Sequence, residues 1–455
     1  MSEDYDRPLA LAHTHATQYL REIENSPVYP RPDAIAALEA FDEPLPLHGS
    51  ADQETLDLLH GKGSAATVAS MGSRYFGFVV GGALPVTVGA NWIATAWDQT
   101  PSSFISSPTC VKLEEIAGRW LRELLALPEH TGVGMTTGAT MANFTALAAA
   151  RHALLARAGW NVEEQGLYGA PEIKVIVSDE VHVTVEKALS MLGFGKKRVT
   201  RVPTDDNGAM RFDGVPGLDD MTLICTQAGN VNSGAIDPIG AIARKAAGAG
   251  AWVHVDGAFG LWGRLLARRE ADFQDVELAD SVVVDAHKWL NTPYDCGIVM
   301  TRHAEALQGA MGTVAPYLKE EKKGEPKDMG PEFSRRARGV EVWAALRSLG
   351  HAGLKSMIGR CCDHAQVFAD GLRAQGFEIL NDVVLNQVVA TIGTPEQIAE
   401  IRRLVEVSGE CWFGSTFWKG WDAVRISVSS WRTTEEDVER SLAAIAEARR
   451  QVMGD

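Results

Sequence analysis

MTLICTQAGNVNSGAIDPIGAIARKAAGAGAWVHVD, residues 221–256, opens and closes on short apolar runs with a helical spacing of apolar residues between them. MTLICT (221–226) and AWVHVD (251–256) are nearly continuous in apolar and β-branched residues. Each therefore predicts a strand buried on both faces rather than a half-exposed, alternating one. DPIGAIARKAAGAG (237–250) predicts the helix that joins them. Strand, helix and strand in succession imply parallel neighbours in one sheet. Outward along the chain, IKVIVS (173–178) and SVVVDA (281–286) repeat the strand pattern. The middle of the chain thus predicts an α/β fold, with a mainly parallel central sheet and helices on both faces.

The flanks read differently. Residues 1–60 predict a helical arm broken by Pro27, Pro30, Pro32, Pro44 and Pro46. Residues 61–310 make up the large sheet domain. Residues 311–455 predict a loop followed by a smaller C-terminal α/β domain. In that last part GEPKDMGPEF (324–333) is polar and rich in Gly and Pro, which predicts a mobile loop. A helix is expected near 339–349, and strands within EILNDVVLNQVVATI (378–392) and AVRISVSS (423–430). TTEEDVERSLAAIAEARR (433–450) predicts a terminal helix with Thr434 as N-cap.

The bulk properties narrow the function. The chain has 455 residues and a formal charge of −16, an acidic balance that repels nucleic-acid phosphates. Its six cysteines form no Cys-x-x-Cys pair, so no metal or redox motif is expected. The first residues, MSEDYDRPLALAHTHATQYL, are too acidic and too polar for a signal or transit peptide. The longest apolar stretch, Phe76 to Trp97, is interrupted by Gly81, Gly82, Pro85, Gly89 and Asn91, so no membrane span is expected. A cytoplasmic location follows as the expectation.

Four features fall at the ends of predicted strands, where open α/β sheets bind ligands. Lys288, in DAHKW (285–289), ends an apolar run; a desolvated lysine amine is a nucleophile for an aldehyde. Asp256, in HVDGA (254–258), offers a carboxylate that could keep a pyridine nitrogen protonated, beside the small Gly257 and Ala258. Gly138, Ala139 and Thr140 precede the helical run MANFTALAAARH, and such a helix start suits a phosphate. His182 supplies an imidazole that can stack on a ring or pass a proton. Read singly, these are also an ordinary surface lysine, two helix caps and a structural histidine. Read together they ask for pyridoxal 5′-phosphate (PLP).

The order of these segments resembles the group II PLP-dependent decarboxylases of aminotransferase fold type I. That group includes the aromatic-L-amino-acid, histidine, glutamate and 2,4-diaminobutyrate decarboxylases. The resemblance runs from about Ser73 to the C-terminal helix, through RYFGFV (74–79), SSPTCVKLEE (106–115), TTGATMANFTAL (136–147), HVDGAFG (254–260), DAHKW (285–289) and FSRRARGVEVWAALRSLG (333–350). It implies Lys288 as the Schiff-base lysine, Asp256 as the pyridinium partner, Ala258 near the ring and His182 stacked on it. It implies Gly138, Ala139, Thr140 and His287 as the phosphate cradle. Asp285 stands where relatives often have asparagine, and Asn230 where they often have threonine near the cofactor. Tyr75 and Phe76 fall in the segment that borders the substrate pocket. The resemblance further implies a homodimer with active sites at the interface and an amino-acid substrate, which the aromatic content of the pocket segment tilts towards an aromatic one.

One departure bears on the chemistry. Many relatives carry a proton-donating tyrosine in the loop before Ser-Arg-Arg, whereas LKEEKKGEPKDMGPEF (318–333) has none, and Tyr317 matches a different tyrosine at the loop's start. Three outcomes therefore stay open: decarboxylation to the amine with another donor, altered PLP chemistry (release of an aldehyde by oxidative decarboxylation–deamination, or aminotransferase or lyase activity), and an inactive dimeric homologue.

Overall fold

The computed structural model describes residues 4–313 and 324–454. Seven strands form one sheet: β1 (Gly132–Thr136), β2 (Lys174–Ser178), β3 (Thr200–Val202), β4 (Thr222–Gln227), β5 (Trp252–Asp256), β6 (Ser281–Asp285) and β7 (Gly297–Thr301), in the order β1-β7-β6-β5-β4-β2-β3. The pairs from β3 through β6 are parallel, and only β7 runs antiparallel to its neighbours β6 and β1. The four apolar runs of the sequence are β2, β4, β5 and β6.

Every residue of β4, β5 and β6 is buried because both faces of the sheet are covered. Val175, Val177, Leu223 and Cys225 pack towards the helices Ala139–Arg157 and Val183–Met191. The alternate residues Ile176, Ile224, Val253 and Val255 pack on the opposite side, with Ile239 and Ile242 of the helix Ile239–Ala249. A strand alternates its side chains between faces, so two apolar faces require an unbroken apolar run.

A second sheet follows, with β8 (Glu378–Ile379), β9 (Gln387–Thr391), β10 (Gly414–Trp418) and β11 (Trp421–Ser427) in the antiparallel order β10-β11-β9-β8. The stretch expected as one strand over 378–392 splits because Asn381 pins a turn. Its Nδ2 donates to the Ser233 and Gln387 carbonyls and its Oδ1 accepts from Val389 N. The terminal helix Glu435–Met453 starts with a capping box in which Thr434 Oγ1 accepts from Asp437 N. The helix expected near 339–349 runs on to Ala374 across a break at Gly350, where φ is 59°. Among the described residues no helix is long and apolar enough to cross a membrane.

The middle of the segment 324–333 is packed, although its composition is that of a loop and Pro331 and Phe333 are exposed. Pro326–Asp328 form one 3-10 turn, Lys327 and Asp328 are buried, and Lys327 N donates to Ser102 O at 3.1 Å. Tyr317 and residues 318–323 lie outside the described residues.

The arginine-rich segment that follows is explained by its partners. Arg335 meets Glu114 at 2.5 Å, Arg336 meets Glu341 at 2.9 Å and Arg338 meets Asp295 at 2.9 Å. Arg335 and Glu114 are both buried, and Glu114 Oε2 has no hydrogen-bond partner. Arg335→Met would therefore strand a buried charge, with an expected loss of about 3 kcal/mol of stability. Urea unfolding of the two proteins checks this, and an unchanged midpoint would disprove it.

Candidate active site

A cavity of about 500 Å³ opens where β4, β5 and β6 end. Gly138, Ala139, Thr140, His182, Asp256, Ala258, Asp285, His287 and Lys288 all line it. Their convergence follows from topology. Asp256 and Asp285 are the last residues of adjacent parallel strands, so both reach the same edge of the sheet. β1 lies in the same sheet and leads through Thr137 into the helix Ala139–Arg157, whose N-terminus faces that edge.

Lys288 is held by its own loop. Its Nζ lies 3.2 Å from Asp285 Oδ2, and Asp285 Oδ1 accepts from Ala139 N at 2.6 Å. Asp285 thus ties the lysine to the helix start. Gly138 has φ 155°, a value that side-chain-bearing residues rarely adopt, and a Cβ on Gly297 would meet the Gly138 backbone at 2.2 Å. This close approach packs β7 directly beneath the helix N-terminus.

Both cavity histidines have one nitrogen fixed. His287 Nδ1 accepts from Cys296 N at 3.1 Å, which leaves Nε2 to carry the proton, 3.5 Å from Asp285 Oδ2. Tyr294 stacks on the His287 ring at 4.3 Å. His182 caps the helix Val183–Met191, with Nδ1 accepting from Thr184 N at 3.3 Å and lying 2.7 Å from Thr184 Oγ1. Burial pushes both imidazoles below their ordinary pKa, so both are neutral at pH 7. Burial and the Asp285 charge push the Tyr294 hydroxyl up to about 12, so it keeps its proton.

Three expected residues are not brought into the cavity. Asn230 is fully buried and occupied elsewhere: Nδ2 donates to Glu180 Oε2 at 3.0 Å and Oδ1 accepts from Asn232 N at 2.8 Å. Tyr75 stacks on Trp412 with ring centroids 5.1 Å apart, and Phe76 packs edge-on against Phe368 at 4.9 Å. Phe78 and Val79 line the cavity in their place, both with positive φ, at 52° and 59°. That backbone turn carries Phe78 and Val79, rather than Tyr75 and Phe76, to the cavity.

Gln227, Tyr294 and Arg425 also line the cavity and were not singled out in the sequence. Arg425 comes from β11 of the smaller sheet. Its Nη1 donates to Val231 O at 3.0 Å, while its buried Nε has no hydrogen-bond partner. No carboxylate pairs with it among the described residues, and burial lowers its pKa. The one available signal was a single charge inside the apolar run AVRISVSS.

Residues 72–392 match the family model described as the pyridoxal-dependent decarboxylase conserved domain. An aromatic-L-amino-acid decarboxylase of Bacillus atrophaeus is 26% identical over 409 residues, covering 86% of this chain and 82% of its own. A phenylacetaldehyde synthase of Arabidopsis thaliana is 30% identical over 277 residues, covering 56% of this chain and 55% of its own. The crystal structure of Oryza sativa TDC with PLP and tryptamine superposes with a TM-score of 0.89 at 24% identity, covering 100% of this chain and 99% of that one.

Proposed function

Because the chain belongs to the pyridoxal-dependent decarboxylase family, we propose that it removes the α-carboxylate of an aromatic L-amino acid, with Lys288 as the covalent anchor of PLP. Family membership makes it a PLP-dependent amino-acid carboxy-lyase. The observation that carries the finer reading is the one cavity that takes in the Lys288 amine, the Asp256 carboxylate and the start of the helix Ala139–Arg157.

The donor set fits the cofactor. The helix N-terminus, Thr137, Thr140 and the Nε2–H of His287 suit a phosphate, and Asp256 suits the ring nitrogen. Small residues at 138, 139 and 258 leave room for a flat ring. When bound, the cofactor supplies an electron sink for the pair left behind as carbon dioxide departs.

The chain's own residues do the rest. Lys288 would hold the cofactor aldehyde through Nζ, kept in place by Asp285. His182 would cover one ring face. Arg425, a cation that lines the cavity and has no carboxylate partner among the described residues, would receive the substrate carboxylate. That contact is made in the ground state and must be given up as the carboxylate leaves, so it serves binding more than rate. Arg425→Met is expected to raise KM about 30-fold while kcat changes only a few-fold. Steady-state kinetics check this, and an unchanged KM would remove Arg425 from the site. With no tyrosine in 318–333, the proton returned to Cα would come from His182 Nε2–H or the Tyr294 hydroxyl, both in the cavity wall.

Phe78, Phe259 and Tyr294 in the wall favour an aromatic substrate. The test is incubation of the holoenzyme with each proteinogenic L-amino acid, followed by mass identification of products. Amine and carbon dioxide from an aromatic amino acid are expected. Aldehyde with ammonia and peroxide would select the oxidative reading, which the tyrosine-free loop and the likeness to an aldehyde synthase support. No carbon dioxide from any amino acid would leave aminotransferase or lyase activity if an oxo acid or a cleaved product appears, and the inactive homologue if no product does.

The same reading includes a homodimer in the cytoplasm. Val86, Ile93 and Trp97 lie exposed on one face of the helix Pro85–Trp97, with Phe104 and Ile105 exposed just beyond it, an apolar surface suited to a second copy. All six cysteines are free and buried, as suits a reducing compartment.

A further inference from the structure

Asp256 ends a chain of buried hydrogen bonds that no step of the chemistry above uses. Trp252, His254 and Asp256 are alternate residues of β5 and share one face of the sheet. Trp252 Nε1 donates to Ser281 Oγ at 3.0 Å, and Ser281 Oγ lies 3.0 Å from His254 Nδ1. His254 Nε2 lies 2.8 Å from Asn143 Oδ1, and Asn143 Nδ2 donates to Asp256 Oδ2 at 3.1 Å. Trp252, His254 and Asn143 are 0% exposed and Ser281 is 1% exposed.

The two ends, together with a His254 ring that burial keeps neutral, decide the direction of every bond between them. An indole N–H can only donate, and an ionised carboxylate can only accept. Ser281 therefore accepts from Trp252 and offers its own proton to His254 Nδ1. Asn143 must turn its Nδ2 to Asp256 and its Oδ1 to His254, so His254 Nε2 carries the imidazole proton. The ring holds that one proton alone, its pKa pushed down by burial to about 4. All four bonds point the same way, and each polarises the next. The surrounding layer between the sheet and the helix Ala139–Arg157 is otherwise apolar, made of residues such as Leu147, Val177 and Leu223. Four polar side chains there are costly unless every donor and acceptor is matched.

We propose that Trp252, Ser281, His254 and Asn143 form a relay of fixed polarity that holds Asp256 ionised and aimed, so that the cofactor's ring nitrogen stays protonated. Asn143 is the positioning residue. It acts through Asp256 and does not itself line the cavity. The inference rests on the reading of Asp256 as the ring-nitrogen partner.

The test uses holoenzyme loaded with PLP labelled with ¹⁵N in its ring, read by the nitrogen resonance and the PLP dissociation constant. Asn143→Asp keeps the shape but sets a second carboxyl against Asp256, and the pair must then share a proton. The resonance is expected to move from its protonated towards its unprotonated position, and the dissociation constant to rise roughly tenfold. Ser281→Ala, remote from the cavity, should move the resonance less and in the same direction, and it decides the matter if Asn143→Asp does not fold. A packing role alone would change stability and leave the nitrogen where it was, which overturns the relay. Asp256→Asn separates the two levels: if it moves the resonance and the relay variants do not, only the relay fails; if it moves nothing, the role of Asp256 fails first.

Discussion

Lys288→Ala is expected to lower kcat/KM by at least about 10⁴-fold, because no other amine among the described cavity residues can take the place of the nucleophile. Among the described residues Lys288 is the only lysine that lines the cavity, and Arg425 stays protonated and cannot substitute for it. The fold should survive the change. Lys288 sits between the buried His287 and Trp289, but its own side chain is 20% exposed and its one ion pair is with Asp285. Two measurements go together. Borohydride reduction of the wild-type holoenzyme and peptide mapping should place a pyridoxyl group on the peptide containing Lys288. The variant should yield no such adduct and no turnover. Turnover at the wild-type rate in Lys288→Ala would end the assignment.

Asp256→Asn should cost about 10³-fold in kcat, some 4 kcal/mol of barrier. The substitution keeps shape and volume but removes the charge that would face the ring nitrogen. No neighbour among the described residues can replace it. Asp285, the other carboxylate of the cavity, is already engaged by Ala139 N and Lys288. His182, neutral and capping its own helix, brings no negative charge. The loss should fall on kcat rather than KM, since Asp256 acts on charge that develops during reaction rather than on the bound substrate. Stability should fall as well, by about 1–3 kcal/mol, because Asn143 Nδ2 donates to the other Asp256 oxygen and would meet the new amide's NH2. One of the Asp256 oxygens accepts from Ala258 N at 3.1 Å, a contact that the amide oxygen can keep. A variant with full kcat would show that Asp256 is an ordinary buried acid.

Much of this site could be read along the chain, and the reason is local. Lys288, His287 and Asp285 directly follow one apolar run, Asp256 and Ala258 follow another, and Gly138 to Thr140 open a helix. A parallel strand must deliver its last residues to the same edge as its neighbours, so residues remote in sequence were bound to meet once the strands were recognised. His182 was legible for the same reason, as the residue that starts the helix after β2.

The residues that the structure places outside the cavity have equally specific local settings. Tyr75 and Phe76 were assigned to the pocket's border by the family resemblance of RYFGFV, which says which segment lies there but not which of its side chains face inward. Two successive residues with positive φ, Phe78 and Val79, turn the chain so that these two enter the cavity instead. Asn230 was placed by position alone, and nothing in GNVNSGAID announces that its amide is committed to Glu180 and to the backbone of its own turn. GEPKDMGPEF has the composition of a free loop, yet Lys327 and Asp328 are buried against the segment around Ser102.

By itself the amino-acid order determined the α/β class, the strands of the central sheet, and the lysine, carboxylate and glycine-led helix start gathered at its edge. These depend on period, burial and chain direction, which act over a few neighbouring residues. Only tertiary structure decided that Arg425 reaches the cavity from the smaller sheet and that Asn143 joins His254 to Asp256. It also decided that Phe78 and Val79 form the wall. Those contacts join residues far apart along the chain, and which atoms meet is settled by packing that no local pattern encodes.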